Sequence, residues 1–428
     1  MDSLYRNAAE TPVEAPFVFD SHILAEALKN LYKRKYDPKK EIDPLLFSEV
    51  SRILGKAVDE GFGNPDIEDE FIRQLKSSTE VFSAFKTHRM GRDMAAKLLD
   101  DKGQLKSYRQ FKQDVLPIAS HHIDNWLKTE YNTAVRRAHL AADFERYKRN
   151  ADILPNLRWE PSTSVNKREL HIPFYDRVWA IDDPFWADNF PGSLWNCKCG
   201  ISPTDDPLTD NSDIITLDVK PHKGLDGNPA VTGQIFSDDH PYHPADCRHC
   251  PFGKVKPLQI INAKKDCYAC GKVQAVIQDA KEKARQRRKE LMKVHYLKIR
   301  DKILDEFGAD TIIPIPIKSS DCTGKLKLRP PALKETLRGT AHTPNIDSKY
   351  CLLKAIQNPH KLRHRNYEVL GARKNLSDPI DKQNVQRKAD RGVTGYNFYE
   401  FDYKGKTWIL GFEVIKGEYE QPYFVALK

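Results

Sequence analysis

The 428-residue sequence predicts a multidomain α+β protein: an N-terminal helical scaffold with a small α+β module, a zinc-knuckle segment, and a C-terminal helix followed by an antiparallel meander. Three observations carry this reading. Apolar residues recur at helical spacing from about residue 21 to Arg149, six of the eight cysteines fall in close pairs, and strand-like alternation closes the chain. A chain of this length exceeds one ordinary core and points to roughly two or three domains. We assign residues 1–20 to an arm, 21–202 to the scaffold and module, 203–239 to a linker, 240–318 to a cysteine segment with a basic helix, and 319–428 to the last domain.

In the arm, Pro12 and Pro16 interrupt any helix. Asp43-Pro44 then supplies an N-cap and an N1 proline, and Phe47, Val50, Leu54 and Val58 share one face until Gly61 and Gly63 stop the helix. After Asn64-Pro65, the residues Ile67, Phe71, Ile72 and Leu75 fall together. Ser107 with Gln110 reads as a capping box opening a longer helix, kinked near Pro117, whose stripe is Ile123, Trp126, Leu127, Tyr131, Ala134 and Ala138. Such stripes are core, and no chemistry is assigned to them.

Between Trp159 and Cys199 the chain is dense in unusual chemistry: four tryptophans, Arg168, His171, the run Asp182-Asp183-Pro184-Phe185-Trp186, and Asn196-Cys197-Lys198-Cys199. A Cys-x-Cys pair closes too tight a loop to bridge itself, which leaves metal ligation or plain burial. His171, Cys197 and Cys199 are three suitable zinc donors, with a fourth from water, Asp182 or Asp183. Short strands and loops against the helices are expected here.

At these residues the sequence resembles the phage Mu F-like head morphogenesis (minor head) proteins. The shared pattern is Arg168-x-x-His171, then Asp183-Pro184-Phe185-Trp186, then Asn196-Cys197-Lys198-Cys199, with an upstream Trp126-Leu127-Lys128-Thr129-Glu130-Tyr131-Asn132-Thr133-Ala134 helix. Asp176 stands where the family has glycine, and Lys198 where it has arginine. The resemblance covers about half the chain. It implies a virion structural protein acting in head assembly near the portal, with portal, capsid or scaffold proteins and DNA as partners.

Residues 203–239 are rich in turn formers, hence the linker. Gly224 to Pro229, Phe236 and His240-Pro241-Tyr242 resemble a GLxGNP…F…HPY element of the same family. Next, Cys247-x-x-Cys250 and Cys267-x-x-Cys270, sixteen residues apart, have the spacing of a four-thiolate structural zinc site; four buried or oxidised thiols are the alternative. A helical run from about Val273 to Phe307 follows. Its basic stretch, including Arg285, Arg287, Arg288 and Lys289, reads either as a DNA or RNA contact or as a solvated helix face.

Residues 312–318 alternate Ile and Pro and cannot be helical. The last domain begins with a helix near Lys349 to Gln357 and ends in strands at Tyr396 to Tyr403, Thr407 to Ile415 and Tyr423 to Leu427. Through Lys354-Ala355-Ile356, Asn358-Pro359-His360, Asn366, Tyr399-Glu400, Gly405 and the Gly417…Tyr423 strand, this tail resembles the phage-associated barnase/EndoU/colicin/RelE-like nuclease domains. The resemblance implies metal-independent RNA cleavage, with His360 and Glu400 or Glu413 as base and acid and Lys354, Arg363 or Arg365 as phosphate-binding cations. His360 near a helix end has a purely electrostatic alternative.

The functional readings are therefore a minor head protein carrying a nuclease-like domain and, as the alternative, an RNase toxin delivered by a phage-type N-terminal half. A zinc-dependent DNA-binding regulator would leave the Asn-Cys-x-Cys half unexplained. The net charge of +9 permits nucleic-acid contact. No apolar run is long enough for a bilayer and the first fifteen residues lack a signal-peptide core, so a host-cytoplasmic protein with no membrane partner is expected, and the resemblance implies the virion head or portal region as well. There is no Walker loop, dinucleotide fingerprint or HExxH.

Overall fold

The computed structural model describes residues 17–63, 69–165, 167, 169–214, 219–253, 265–317, 319–338 and 346–428. It is a mixture of helix and sheet. The chain divides into two compact units, Met1–Ala284 and Arg285–Lys428, a boundary that falls inside a helix rather than in the turn-rich stretch.

In the first unit, α1 (Ser21–Tyr32) is capped by Asp20 and α2 (Pro44–Phe62) by Asp43, whose carboxylate accepts from the N–H groups of Leu45 and Leu46. Gly63 ends α2 in the left-handed conformation at φ 53°. Gly61 is not a stop, as the sequence suggested. It lies inside α2, and a Cβ there would collide with the Val135 carbonyl and Ala138, so it permits close helix crossing. α3 (Asp69–Ala95) follows, and α4 (Tyr108–Ser120) carries the expected Ser107–Gln110 capping box. Pro117 does not break the chain's helical course. The helix widens into a π segment, His121–Trp126, and continues as α5 (Leu127–Arg149).

At the centre of these helices lies a buried ion pair: Lys86 Nζ sits 2.9 Å from Glu130, with the two side chains 1% and 0% exposed. The Tyr242 hydroxyl donates to the same carboxylate at 2.8 Å. A charge pair taken this far out of water needs such close pairing and hydrogen bonding to persist.

β1 (Asn156–Glu160), β2 (Val178–Ala180) and β3 (Gly200–Thr204) form an antiparallel sheet in the order β2-β1-β3, and the one-turn α6 (Phe185–Asp188) sits between β2 and β3 in sequence. Their core joins Leu140 and Phe144 of α5 to Trp159, Trp179, Trp186 and Phe190. The stretch expected as a linker is instead partly interior: Leu225, Ile235 and Phe236 are buried in the main helical core, beside the short α7 (Pro229–Thr232). Turn residues there serve a packed loop, because a buried side chain from α5, described below, satisfies its carbonyls.

Two buried histidines make this unit acid-sensitive. His122 hydrogen-bonds Asp93 at 3.0 Å, yet burial holds its pKa down to about 4; His243, wedged between Phe85 and Tyr268, is pulled to about 3 by burial and then by Lys265. Unfolding exposes each ring to water and restores ordinary basicity, so the unfolded chain takes up protons that the folded one refuses. Stability is complete above pH 6.5 and falls below it, by about 2 kcal/mol per ring at pH 5. Urea unfolding of the full chain between pH 8 and 5 should show this decline, and His243→Phe should flatten it; an unchanged slope in that variant rules out His243 as a source.

The second unit is entered by α8 (Gly271–Phe307), close to the expected helix, with Tyr296, Ile299 and Ile303 buried in the second core. β4 (Ile312–Pro314), β5 (Lys325–Lys327), α9 (Pro330–Arg338), α10 (Ile346–Gln357), β6 (Arg363–Val369), α11 (Pro379–Asp390), β7 (Val393–Tyr403), β8 (Lys406–Ile415) and β9 (Tyr419–Leu427) follow. The sheet order is β4-β5-β9-β8-β7-β6, antiparallel except for β5 beside β9. One face, with Tyr399, Phe401, Trp408, Leu410, Phe412 and Val425, packs on Leu333 and Leu337 of α9 and Leu352 and Ile356 of α10. Glu420 is fully buried on that face and accepts from Tyr399, Asn397 and Thr323, which ties β9, β7 and the β4–β5 loop together. The meander was legible in advance; β4, β5, β6 and α11 were not.

Candidate metal centre

The Cys197-x-Cys199 pair is placed by two backbone features. Asn196 adopts φ +56°, a conformation asparagine tolerates better than most residues, and its N–H donates to Thr133 of α5 at 3.1 Å. Asp176 adopts φ +61°, a left-handed conformation that aspartate tolerates better than most residues, and its N–H donates to the Trp159 carbonyl at 2.9 Å. From α5, Arg136 donates to the Cys199 carbonyl, with Nε at 3.2 Å.

His171 arrives on a 3₁₀ turn, Glu169–Phe174. Its Nδ1 lies 3.5 Å from both the Cys197 and the Cys199 sulfurs, and its Nε2 lies 3.2 Å from the Ser193 hydroxyl. The Cys199 N–H points at the Cys197 sulfur from 3.5 Å, and the Tyr175 hydroxyl stands 4.0 Å from the Cys199 sulfur. All three donors are buried: His171 and Cys199 are 1% exposed and Cys197 5%. The hydrogen bond from Cys199, then His171, holds the Cys197 thiol well below its ordinary range, while the Cys197 charge and burial push Cys199 up.

A thiolate beside an imidazole is also the chemistry of a cysteine nucleophile, but burial of all three groups suits a structural site better. The spacing suits a shared ion. Tetrahedral zinc with Zn–S near 2.3 Å and Zn–N near 2.05 Å separates sulfur from nitrogen by about 3.6 Å. Among the described residues this is the one His/Cys/Asp/Glu group whose donor atoms all lie within 4.8 Å of one another. Ser193 would hold the far side of the imidazole, as metal-bound histidines require.

Asp183 does not join the group. Its carboxylate accepts from the Phe185 N–H at 2.8 Å in a turn just before α6, so local turn geometry claims it. Arg168 lies outside the described residues.

The four knuckle cysteines come near one another without closing to that distance. Cys247 starts a 3₁₀ turn capped by Asp246; Cys250 and Cys270 pack half-buried against the main core, and Cys267 is buried. Burial raises the Cys250 thiol, with Cys270 and Cys247 adding to it, and burial, Asp238 and Cys250 raise Cys267. Residues 254–264, between the knuckles, lie outside the described residues.

Of the basic-helix residues, Arg285 and Lys289 are exposed and Arg287 and Arg288 half-buried on α8. Of the tail residues, Lys354 is exposed on α10 and His360 on the turn after it, and Glu400 of β7 pairs with Lys428 at 2.8 Å. Arg363 forks onto Asp402 at 2.8 and 3.0 Å. Glu413 is 3% exposed and engaged by Gln421, Lys388 and Arg391. Arg363 also faces Glu400 across the β6–β7 ladder, with its guanidinium 3.8 Å from that carboxylate.

The residue that sequence reasoning missed is Arg137. Its guanidinium is fully buried and has backbone carbonyls as hydrogen-bond partners: Ile235 at 2.6 Å, Leu225 and Gly227 at 2.9 Å, Gly192 at 3.2 Å and Asp226 at 3.5 Å. Burial lowers its pKa to about 10. The available signal was positional: a charge between Ala134 and Ala141 of an otherwise apolar stripe has to be fully bonded.

Helices that lock a small sheet around one imidazole and two thiols define a protein domain with a sealed site able to hold a metal ion. Two curated proteins match part of the chain. "Putative capsid assembly protein F" of Escherichia phage Mu is 29% identical over 75 residues, which is 18% of this chain and 17% of that protein. "Mu-like prophage FluMu F protein" of Haemophilus influenzae (strain ATCC 51907 / DSM 11121 / KW20 / Rd) is 27% identical over 75 residues, 18% of each. The matches thus span under a fifth of the relatives' length. No protein-family profile and no solved structure matches the chain. No helix among the described residues is long and apolar enough to cross a membrane.

Proposed function

We propose that this chain is a head-assembly protein of a Mu-like phage or prophage, whose first unit is built around a structural zinc ion held by His171, Cys197 and Cys199. The observation that supports the reading is the match to two Mu-type F proteins, one of them named for capsid assembly, together with a buried donor set at the spacing a tetrahedral ion requires. Zinc here would supply folding free energy, not Lewis acidity, because all three donors are buried. Portal, capsid or scaffold proteins are the partners such a role demands. The four knuckle cysteines supply a second structural zinc in this reading, and the basic face of α8, through Arg285 and Lys289, faces DNA.

In a phage or inducible prophage carrying this gene, His171→Ala is expected to cut infectious-particle yield by orders of magnitude, with empty or malformed heads visible by electron microscopy. Normal particle yield from that variant would remove the head-assembly role of this site.

A further inference from the structure

The face of the second sheet turned away from α9 and α10 carries an aromatic row that neither the head-assembly reading nor the sequence motifs use. Phe398 of β7, Ile409 of β8 and Phe424 and Ala426 of β9 line a cleft of about 410 Å³ and are each half-exposed. The rings of Phe398 and Phe424 lie 5.8 Å apart, and those of Tyr396 and Tyr423 continue the row at 5.3 Å. Phe424 lies flat on the sheet because its cross-strand partner is Gly411, where a Cβ would collide with the ring. A ring pressed down on a backbone offers its face, not its edge.

Cations border this apolar floor. Arg365 and Arg373 stand exposed at the cleft, with Asn366 and Glu368, and Lys388 of α11 lies 4.0 Å from the Tyr423 ring centre. From Asn358 to Arg391, the segment forming β6, the following loop and α11, the sequence has nine Lys and Arg against four Asp and Glu. A row of aromatic faces rimmed by arginine matches a ligand that alternates flat apolar rings with negative charge. That is the chemistry of a nucleic acid whose bases are unpaired: a duplex hides its base faces, and an apolar peptide has no use for the cations.

We propose that this cleft binds single-stranded nucleic acid, with a base stacked on Phe398 and Phe424 and Arg365 and Arg373 on the flanking phosphates; Glu368, which pairs with Arg373 and accepts from Asn366 at 3.1 Å, holds Arg373 at the rim. This is binding, not cleavage: it shares Arg365 and Asn366 with the nuclease-like motif but needs neither His360 nor Glu400, and it is independent of the head-assembly role.

The test is fluorescence anisotropy of the full-length chain with labelled twelve-nucleotide RNA, single-stranded DNA of the same sequence, and the matching duplex. Phe424→Leu and Phe398→Leu keep apolar bulk and lose the stacking face; each is expected to weaken single-strand binding about tenfold, as loss of one stacked base does, and duplex binding far less. Phe398→Tyr should retain binding, and Arg373→Ala should reduce its salt dependence. Circular dichroism melts identify a variant that has merely unfolded, in which case photocrosslinking of the wild-type complex decides: a crosslinked nucleotide on the Phe398 or Phe424 peptide supports the cleft. No single-strand binding, equal loss with the duplex, or crosslinks confined to α8 would overturn it. The RNA and DNA arms tell which sugar is preferred.

Discussion

Arg137→Met is expected to destabilise the first unit by about 3–5 kcal/mol, the usual result of leaving buried polar groups without their partner. The carbonyls of Gly192, Leu225, Gly227 and Ile235 come from two loops far apart in sequence, and the guanidinium is what satisfies them in the interior. Arg137→Lys should fare little better, because an ammonium has three donors on a flexible stem and cannot reproduce a planar five-donor fork. The readout is thermal unfolding of the first unit, with a fall on the order of 10 °C for this size of loss. A melting point unchanged within a degree or two would show that the loops find other donors.

Metal removal is the second large effect. Metal analysis of the purified chain is expected to give zinc, and Cys197→Ser with Cys199→Ser should lose one equivalent while Cys247→Ser with Cys250→Ser loses a different one. Chelation at neutral pH should lower the melting transition of the first unit, since the ion's binding free energy is folding free energy where the ligands are assembled only in the folded state. Zinc content identical in the wild type and the Cys197/Cys199 double variant would mean that His171 and the two thiols form a hydrogen-bonded core cluster and nothing more. Cobalt substitution adds an independent signature, because thiolate-to-cobalt charge-transfer bands appear only if sulfur ligates.

These two expectations differ in how far the chain itself announced them. The His171, Cys197 and Cys199 donors were visible as residue types at a suggestive spacing, and the structure brings their atoms together. Asp183 was equally visible and is absent from the group, because a carboxylate two residues before an N–H caps its own turn more readily than it reaches a distant ion. Glu400 looked like part of a loose motif in the sequence, and strand alternation turns it away from the buried Tyr399 and Phe401 on either side of it.

Local chemistry was therefore written in the sequence: the capping residues Asp43 and Ser107, the helical stripes, the closing meander and the thiol pairs all rest on contacts within a few residues. Tertiary structure alone decided which groups meet. It drew the turn-rich 220–236 stretch inside through Arg137, converted Gly61 from a helix stop to a helix crossing, and laid Phe424 flat on Gly411. Each of these depends on a partner dozens of residues away, and burial, not propensity, sets what an unpaired carbonyl, a missing Cβ or an exposed ring can do.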